Sequence, residues 1–202
     1  HDIYRKGSLP FEWHKKVFSY AKKKNILCFS SPFDSEAIQL LEKLKVKLYK
    51  VASFEINHIP LLEEIGKTKK PVIISTGTAT GKEVDELTSY LPKENCTLMH
   101  CVSSYPCFAE NANLPRIKYM KDRFPNVGYS DHVEGINVAI ASLEYEPNYI
   151  EKHFTTNKEL PGRDNKFAIL PNDMKTLTEF SNLRKKLKID LGVDYQPCEQ
   201  ES

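Results

Sequence analysis

Six short apolar runs recur along the chain at similar intervals, and they constrain its fold more than any other feature. They begin at residues 26, 48, 72, 97, 127 and 149, so that successive runs start 22 to 30 residues apart. This interval is the length of a strand–helix unit, whereas the strands of a β-sandwich recur about every 8–12 residues. The runs are nearly continuous rather than alternating, which is typical of parallel strands covered on both faces. The sequence therefore predicts a parallel α/β sheet.

Between these runs, apolar residues recur at the spacing of amphipathic helices. The first predicted helix is expected to bury Phe11, Trp13, Val17 and Phe18. The predicted helices cover residues 10–24, 35–44, 60–65, 82–91, 115–124, 136–143 and 172–187. Strand–helix alternation of this kind is found both in open doubly wound sheets and in (β/α)8 barrels.

The positions of the polar residues favour the barrel. Ser, Glu and His residues follow at least five of the predicted strands, and barrel enzymes build their sites from the carboxyl ends of many different strands. The sequence lacks a GxGxxG fingerprint, and the turn at 77–81 lacks the Lys-Ser/Thr pair of a P-loop. Because a complete barrel has eight strands, we expect an incomplete TIM (β/α)8-type barrel over residues 1–190, with six of its eight units.

Composition and charge argue against several functions. The 202 residues include 29 Lys and Arg against 27 Asp and Glu, which gives a net charge of +2. Without a concentrated basic face, no nucleic-acid partner is expected. No apolar stretch reaches the about 18 residues that a membrane span needs. The five cysteines form no CxxC pair, so a reducing cytoplasmic location is expected.

Lys50 interrupts an apolar predicted strand and needs an explanation, because a lysine in a buried strand is costly without a partner. If its side chain points into the barrel, it would receive a phosphate or a carboxylate. If it points outward, its stem would lie between helices with the ammonium group in solvent. Glu55, just past the same strand, is expected either to orient Lys50 or to act on a substrate.

His132 and His153 end two successive predicted strands, so their rings are expected to converge. Imidazoles bind Mn, Fe and Zn, often beside a carboxylate, and Asp164 lies in the loop after His153. A pair of hydrogen-bonded structural histidines would produce the same pattern. His100 lies inside a strand, either in the core with a backbone partner or in a substrate pocket.

Hydroxyl side chains also mark the ends of the predicted strands, at Ser31, Ser53, Ser75 and Ser103. Serine at such a position commonly caps the helix that follows. A ring of these hydroxyls at the barrel mouth would instead bind a phosphate, and the two interpretations are compatible because helix N-termini also favour anions.

Taken together, the strand-end motifs resemble those of the sialic acid synthases, the family that makes N-acetylneuraminic, legionaminic and pseudaminic acids. The similarity extends from about residue 10 to residue 185, with the motifs in the family's order and spacing. In chain order they are FSSPFD (29–34), YKVASFE (49–55), ISTG (74–77), HCVSSYP (100–106), GYSDH (128–132) and IEKHFT (150–155).

The resemblance implies a barrel that binds phosphoenolpyruvate, an N-acylated amino sugar and a divalent cation, with Mn²⁺ expected and Mg²⁺ or Co²⁺ as alternatives. His132 and His153 correspond to metal ligands, and Tyr105 corresponds to a residue that faces the sugar. Glu55, Asp164 and Lys50 are the expected catalytic residues. The residues that correspond to the phosphoenolpyruvate site are Ser31, Lys50, Ser53, Ser75, Ser103 and Ser130.

The resemblance also implies a transferase reaction, in which phosphoenolpyruvate condenses with the sugar aldehyde and phosphate is released. We expect two further βα units before His1, a linker at 191–202 toward an antifreeze-like domain, and a homodimer of the whole protein. The isolated chain is then expected to be inactive. Two alternatives stay open, namely a non-catalytic remnant of a barrel and a metal-dependent aldolase of another barrel family.

Overall fold

The computed structural model describes residues 9–190, which form alternating strands and helices. The strands are β1 (Tyr49–Val51), β2 (Val72–Ser75), β3 (Cys96–Cys101), β4 (Val127–Asp131) and β5 (Ile150–Lys152). The helices are α1 (Phe11–Lys23), α2 (Ser35–Lys43), α3 (Ile59–Lys67), α4 (Gly81–Glu86), α5 (Pro115–Lys121), α6 (Asn137–Ser142) and α7 (Pro171–Leu187). All seven predicted helices and five of the six predicted strands are therefore confirmed.

The strand order decides between the two architectures that the sequence left open. All neighbouring strands are parallel, and the order in the sheet is β1-β2-β3-β4-β5, without a reversal. A doubly wound sheet reverses its strand order at a switch point, whereas the strands of a barrel follow one another in sequence. The described residues thus form a curled five-stranded half-barrel, an incomplete TIM-type barrel.

The core lies between the outer face of this sheet and the helices. Side chains at alternate strand positions, such as Tyr49, Val51 and Leu98, are fully buried there. They pack against apolar residues of the helices, including Leu62 and Ile65 of α3. Because the outer face holds the core, the other residues of each strand face the barrel interior, where the polar strand-end residues lie.

Local sequence signals explain where several helices begin. The Asp34 carboxylate accepts a hydrogen bond from the Ala37 amide at 2.7 Å and caps α2. Thr80 and Glu83 form a capping box at the start of α4. These caps satisfy amide groups that have no partner within the helix.

The predicted strand at residues 26–29 is wrong. This segment has no regular secondary structure, and the one backbone hydrogen bond described between this region and β1 joins Lys50 N to Ser30 O, just past the segment, at 3.3 Å. Ile26 and Leu27 are 64% and 56% exposed. Strand structure requires a ladder of such bonds, and within residues 9–190 no strand pairs with the other edge of this segment.

The expected burial of α1 holds in part for Phe18, which packs partly buried against the core, and is wrong for the other three residues. Trp13 is 53% exposed, and Phe11 and Val17 are each 43% exposed, while His14 is the buried residue of this helix. The apolar spacing correctly predicted the helix, but no layer in the described part of the chain covers its outer face.

No helix within residues 9–190 combines the length and the apolar character that crossing a bilayer would require. The predicted linker at 191–202 lies outside the described residues.

Candidate functional site

Lys50 points into the barrel, as the inward interpretation predicted. Its Nζ donates a hydrogen bond to Ser75 Oγ at 2.7 Å, and its side chain is 12% exposed. In the sheet register Lys50 is paired with Ile73, so Ser75 lies two residues further along β2 on the same inner face. The two side chains thus place a cation and a hydroxyl together inside the sheet.

A carboxylate that the sequence analysis did not single out lies beside this cation. Glu151 Oε1 is 3.6 Å from Lys50 Nζ and accepts a hydrogen bond from Ser130 Oγ at 2.7 Å. Ser130 and Glu151 are paired in the register of β4 and β5, so both face inward. Glu151 precedes His153 by two residues, and side chains two residues apart on a strand face the same side. The predicted inward direction of His153 would therefore have predicted that of Glu151.

A tightly packed group surrounds Gly77, at the end of β2. The Gly77 amide donates to Ser53 Oγ at 3.2 Å, and Ser53 Oγ lies 3.3 Å from Cys101 Sγ. Ser103 Oγ is buried without a hydrogen-bond partner among the described residues. Because buried hydroxyls almost always have a partner, a lone one suggests that a ligand supplies it.

The two strand-end histidines do converge. The ring centroids of His132 and His153 are 5.4 Å apart. His132 Nδ1 lies 2.7 Å from the carbonyl oxygen of Val102, and a carbonyl can only accept, so Nδ1 carries the proton. Burial lowers the pKa of His132, which keeps the ring neutral. His153 Nδ1 faces Asp164 Oδ2 at 3.4 Å.

This arrangement suits metal ligands. Because Nδ1 of His132 faces Val102 O and Nδ1 of His153 faces Asp164, the Nε2 atom of each ring is the one that can donate an electron pair, and metal-binding histidines usually hold their second nitrogen in this way. Nε2 of His132 lies 3.4 Å from Ser130 Oγ, its described neighbour on that side. Within residues 9–190, no group of three or more His, Cys, Asp and Glu side chains is arranged to hold a metal ion. The described chain therefore offers two imidazole ligands and leaves the remaining coordination positions to other donors.

Tyr105 lies over the histidines at the mouth of the half-barrel. Its ring centroid is 4.3 Å from that of His132 and 5.7 Å from that of His153. Burial raises the pKa of the Tyr105 phenol, and the nearby Ser103 hydroxyl, which does not reach hydrogen-bond geometry, partly opposes this effect. The phenol is therefore neutral near pH 7 and can donate a hydrogen bond to a ligand in the mouth.

The predicted residues Glu55 and Ser31, and the histidine His100, have other described neighbours. Glu55 Oε2 pairs with His58 Nδ1 at 3.0 Å, whereas the polar partners of Lys50 are Ser75 and Glu151. Ser31 lines a groove that also contains His14 and Leu41. His100 is a core residue, since it is fully buried and its Nε2 donates to Ala112 O at 2.8 Å.

Helix capping does not explain the strand-end serines. The side chains that cap α2 and α4 are Asp34 and Thr80. Ser75 and Ser130 lie within strands, and Ser53 begins a short 3-10 turn with Ala52 as its N-cap. Of the two interpretations of these hydroxyls, the structure favours the one in which they face a ligand.

Comparison with known proteins identifies the family. The profile of the NeuB family matches residues 1–189. The chain is 38% identical to N,N'-diacetyllegionaminic acid synthase of Campylobacter jejuni over 91% of its length and 57% of that protein. It is 39% identical to pseudaminic acid synthase of Helicobacter pylori over 89% of its length and 54% of that protein. It thus spans about half the length of these two relatives.

A solved structure is also similar. The crystal structure of N-acetylneuraminic acid (sialic acid) synthetase from Leptospira borgpetersenii, in complex with citrate, superimposes with a TM-score of 0.87 at 32% identity. The match covers 96% of this chain and 69% of that one. Profile, sequence and fold agree, and the chain belongs to the NeuB family of sialic, legionaminic and pseudaminic acid synthases.

Proposed function

We propose that this protein is a nonulosonic acid synthase, which condenses phosphoenolpyruvate with an N-acylated amino sugar and releases phosphate. The observation that carries the proposal is the convergence, in a NeuB-family barrel, of Lys50 and inward-facing hydroxyls with a pair of imidazoles. Such a site combines an anion receptor with ligands for a divalent cation. The reaction needs both, because an anionic substrate must be held beside a polarised aldehyde.

Phosphoenolpyruvate would bind at Lys50. The ammonium group already forms a hydrogen bond with Ser75. Ser130, on β4, shares the Glu151 carboxylate with it, and Ser53, in the turn after β1, accepts a hydrogen bond from the Gly77 amide at the end of β2. The unpartnered Ser103 hydroxyl adds a donor that a ligand oxygen would satisfy. Ser31 lines a groove with His14 and Leu41, and its contact with this anion stays a prediction.

Glu151 sets a condition on this binding. Its carboxylate is the counterion of Lys50 in the structure, and this negative charge would repel an incoming anion. We therefore propose that the anion displaces Glu151 from Lys50 and takes over its contact with the Ser130 hydroxyl. The exposed fraction of the Glu151 side chain, 40%, leaves room for this movement.

His132 and His153 would hold the divalent cation, for which Mn²⁺ is the proposal and Mg²⁺ or Co²⁺ the alternatives. When bound, the ion supplies Lewis-acid polarisation of the sugar aldehyde. Asp164 orients the His153 ring, and the Val102 carbonyl orients the His132 ring. Tyr105, above both rings, would donate a hydrogen bond to the sugar.

The proposed condensation forms one carbon–carbon bond and releases phosphate. C3 of phosphoenolpyruvate forms a bond with the aldehyde carbon, and the aldehyde oxygen takes up a proton to become a hydroxyl. Water adds at C2 and loses one proton; the new hydroxyl then loses its own proton as the C2 carbonyl forms and the bond between C2 and the phosphate oxygen breaks, so that phosphate leaves with that proton. Asp164, with a side chain that is 55% exposed, would accept the proton from water. Lys50 stabilises the charge on the departing phosphate.

A second candidate function is a barrel remnant that binds ligands without turnover. The observation in its favour is that the described residues form five strands of the sheet, in which β1 and β5 each pair with a single strand. A metal-dependent aldolase is the third candidate, and it would act without phosphoenolpyruvate.

One assay separates these candidates. Phosphate release is measured from phosphoenolpyruvate with Mn²⁺ and a panel of N-acylated amino sugars. A synthase releases phosphate with a particular sugar, and His153→Ala abolishes the release. Leu62→Ala, at a buried position of α3, is the control for a general loss of stability. Binding of phosphoenolpyruvate without release indicates the remnant, and sugar turnover that does not consume phosphoenolpyruvate indicates the aldolase.

A further inference from the structure

A buried ion pair lies behind the two histidines. Lys152 Nζ is 3.0 Å from Asp131 Oδ2, and the side chains are 2% and 0% exposed. Burying two charges is costly, and well-packed hydrophobic residues of the same volume are often as stabilising or more so. Stability alone is therefore a poor explanation for this pair.

The pair occupies a particular place in the sheet. Asp131 and Lys152 are partners in the register of β4 and β5, each immediately before a histidine. Because side chains alternate along a strand, the ion pair lies on the outer face and His132 and His153 turn to the inner face. A register shift of one residue between the strands would break the ion pair and move one histidine away from the other.

The same groups also fix the backbone on both sides of His132. Asp131 Oδ1 accepts hydrogen bonds from the Tyr129 hydroxyl at 3.1 Å and from the Val133 amide at 2.9 Å. Lys152 Nζ donates to the Val133 carbonyl oxygen at 2.5 Å. The residues before and after His132 are thus tied to β5, the strand that carries His153.

We infer that Asp131 and Lys152 are positioning residues, which hold the two imidazoles at the separation that a divalent cation requires. The inference rests on the proposed function, because it takes His132 and His153 as ligands of that cation. The described hydrogen bonds of Asp131 and Lys152 go to Tyr129, Val133 and each other, and none goes to an imidazole, so the two residues act through the strand register and the backbone around His132. Their replacement should weaken cation binding even where the fold is restored.

The test is the affinity for Mn²⁺ alone, measured by electron paramagnetic resonance of the free ion without substrates. Lys152→Met leaves the Asp131 carboxylate buried without its cation, so this variant should have a clearly lower Tm. Asp131→Asn with Lys152→Met removes both charges and keeps an acceptor for Tyr129 and Val133. We expect the double variant to regain most of the lost Tm but to bind Mn²⁺ about 10–100-fold more weakly than the wild type.

Leu62→Ala is the matched control, because it opens a cavity in the core at α3 and lowers the Tm without touching β4 or β5. It should bind Mn²⁺ as tightly as the wild type does. A double variant with wild-type affinity would overturn the positioning role and leave the proposed function intact. If Leu62→Ala weakens Mn²⁺ binding as much as the double variant does, the loss is a general effect of lower stability, and the positioning role is also overturned. A wild-type protein without affinity for Mn²⁺ would contradict both proposals.

Discussion

Gly77 lies where the hydroxyl-lined site leaves no room for a side chain, so its replacement by alanine tests the packing of that site. A Cβ atom there would be 2.2 Å from Ser103 Oγ and 2.9 Å from both Cys101 Sγ and Ser53 Oγ. These neighbours must shift to relieve the overlap, and overpacking of this kind costs about 1–3 kcal/mol. The shift also disturbs the bond from the Gly77 amide to Ser53 Oγ, which adds about 1 kcal/mol.

Together these effects lower the free energy of unfolding by roughly 2–4 kcal/mol. For a chain of this length, that corresponds to a Tm lower by roughly 5–15 °C. The assay is thermal unfolding together with calorimetric titration of phosphoenolpyruvate, whose affinity should also fall because the displaced Ser53 and Ser103 hydroxyls no longer face it.

Gly81→Ala is the matched control. The nearest atom to a Cβ at Gly81 is the Tyr119 hydroxyl oxygen at 3.7 Å, an ordinary contact. Because Gly81 begins α4, alanine there should raise the stability by up to about 1 kcal/mol. If Gly77→Ala unfolds at the wild-type temperature and binds phosphoenolpyruvate with wild-type affinity, the hydroxyls do not pack around Gly77 as described.

Three further predictions concern single residues. Lys50→Met should weaken phosphoenolpyruvate binding by roughly 10–100-fold in calorimetry, because a hydrogen bond to a charged group contributes about 1.5–3 kcal/mol; unchanged affinity would place the anion elsewhere. Asp34→Ala should lower the free energy of unfolding, measured in urea, by about 0.5–2 kcal/mol because α2 loses its cap. Asp34→Asn keeps a capping oxygen and should retain most of the wild-type stability. Burial lowers the pKa of His100 below its usual 6.5. As the pH falls through 6.5, the unfolded chain takes up a proton at His100 that the folded protein does not, so the folded state becomes less stable. His100→Gln should flatten this dependence in unfolding titrations between about pH 7.5 and 5.5, and an equally steep profile would contradict the assignment.

Hydrophobic periodicity was sufficient to predict most of the fold. The strands that pair on both sides have the continuous apolar runs expected of a covered parallel sheet. The run at 26–29 looks the same in sequence, but a strand also depends on its partners, and Ser30 contributes one described ladder bond. The stripe of Trp13 and Val17 in α1 likewise predicts a helix without revealing what covers it.

The candidate site was predictable where strand alternation determines direction. Lys50 and Ser130 face inward because their neighbours in sequence belong to the core. The buried pair of Asp131 and Lys152 was not predictable, because charged residues are usually exposed and only the register of β4 and β5 brings these two together. The partner of Glu55 was not predictable either. Glu55 lies in the short 3-10 turn after β1, and its carboxylate pairs with His58 rather than with Lys50.

The central claim is most directly tested by following the oxygen of water during phosphate release. The protein is incubated in ¹⁸O-labelled water with Mn²⁺, phosphoenolpyruvate and the amino sugar that supports release, and both products are analysed by mass spectrometry. The account predicts an adduct of sugar and pyruvate that carries ¹⁸O, together with phosphate free of the label, because water adds at carbon. Labelled phosphate with no adduct would show attack of water at phosphorus and would contradict the synthase assignment.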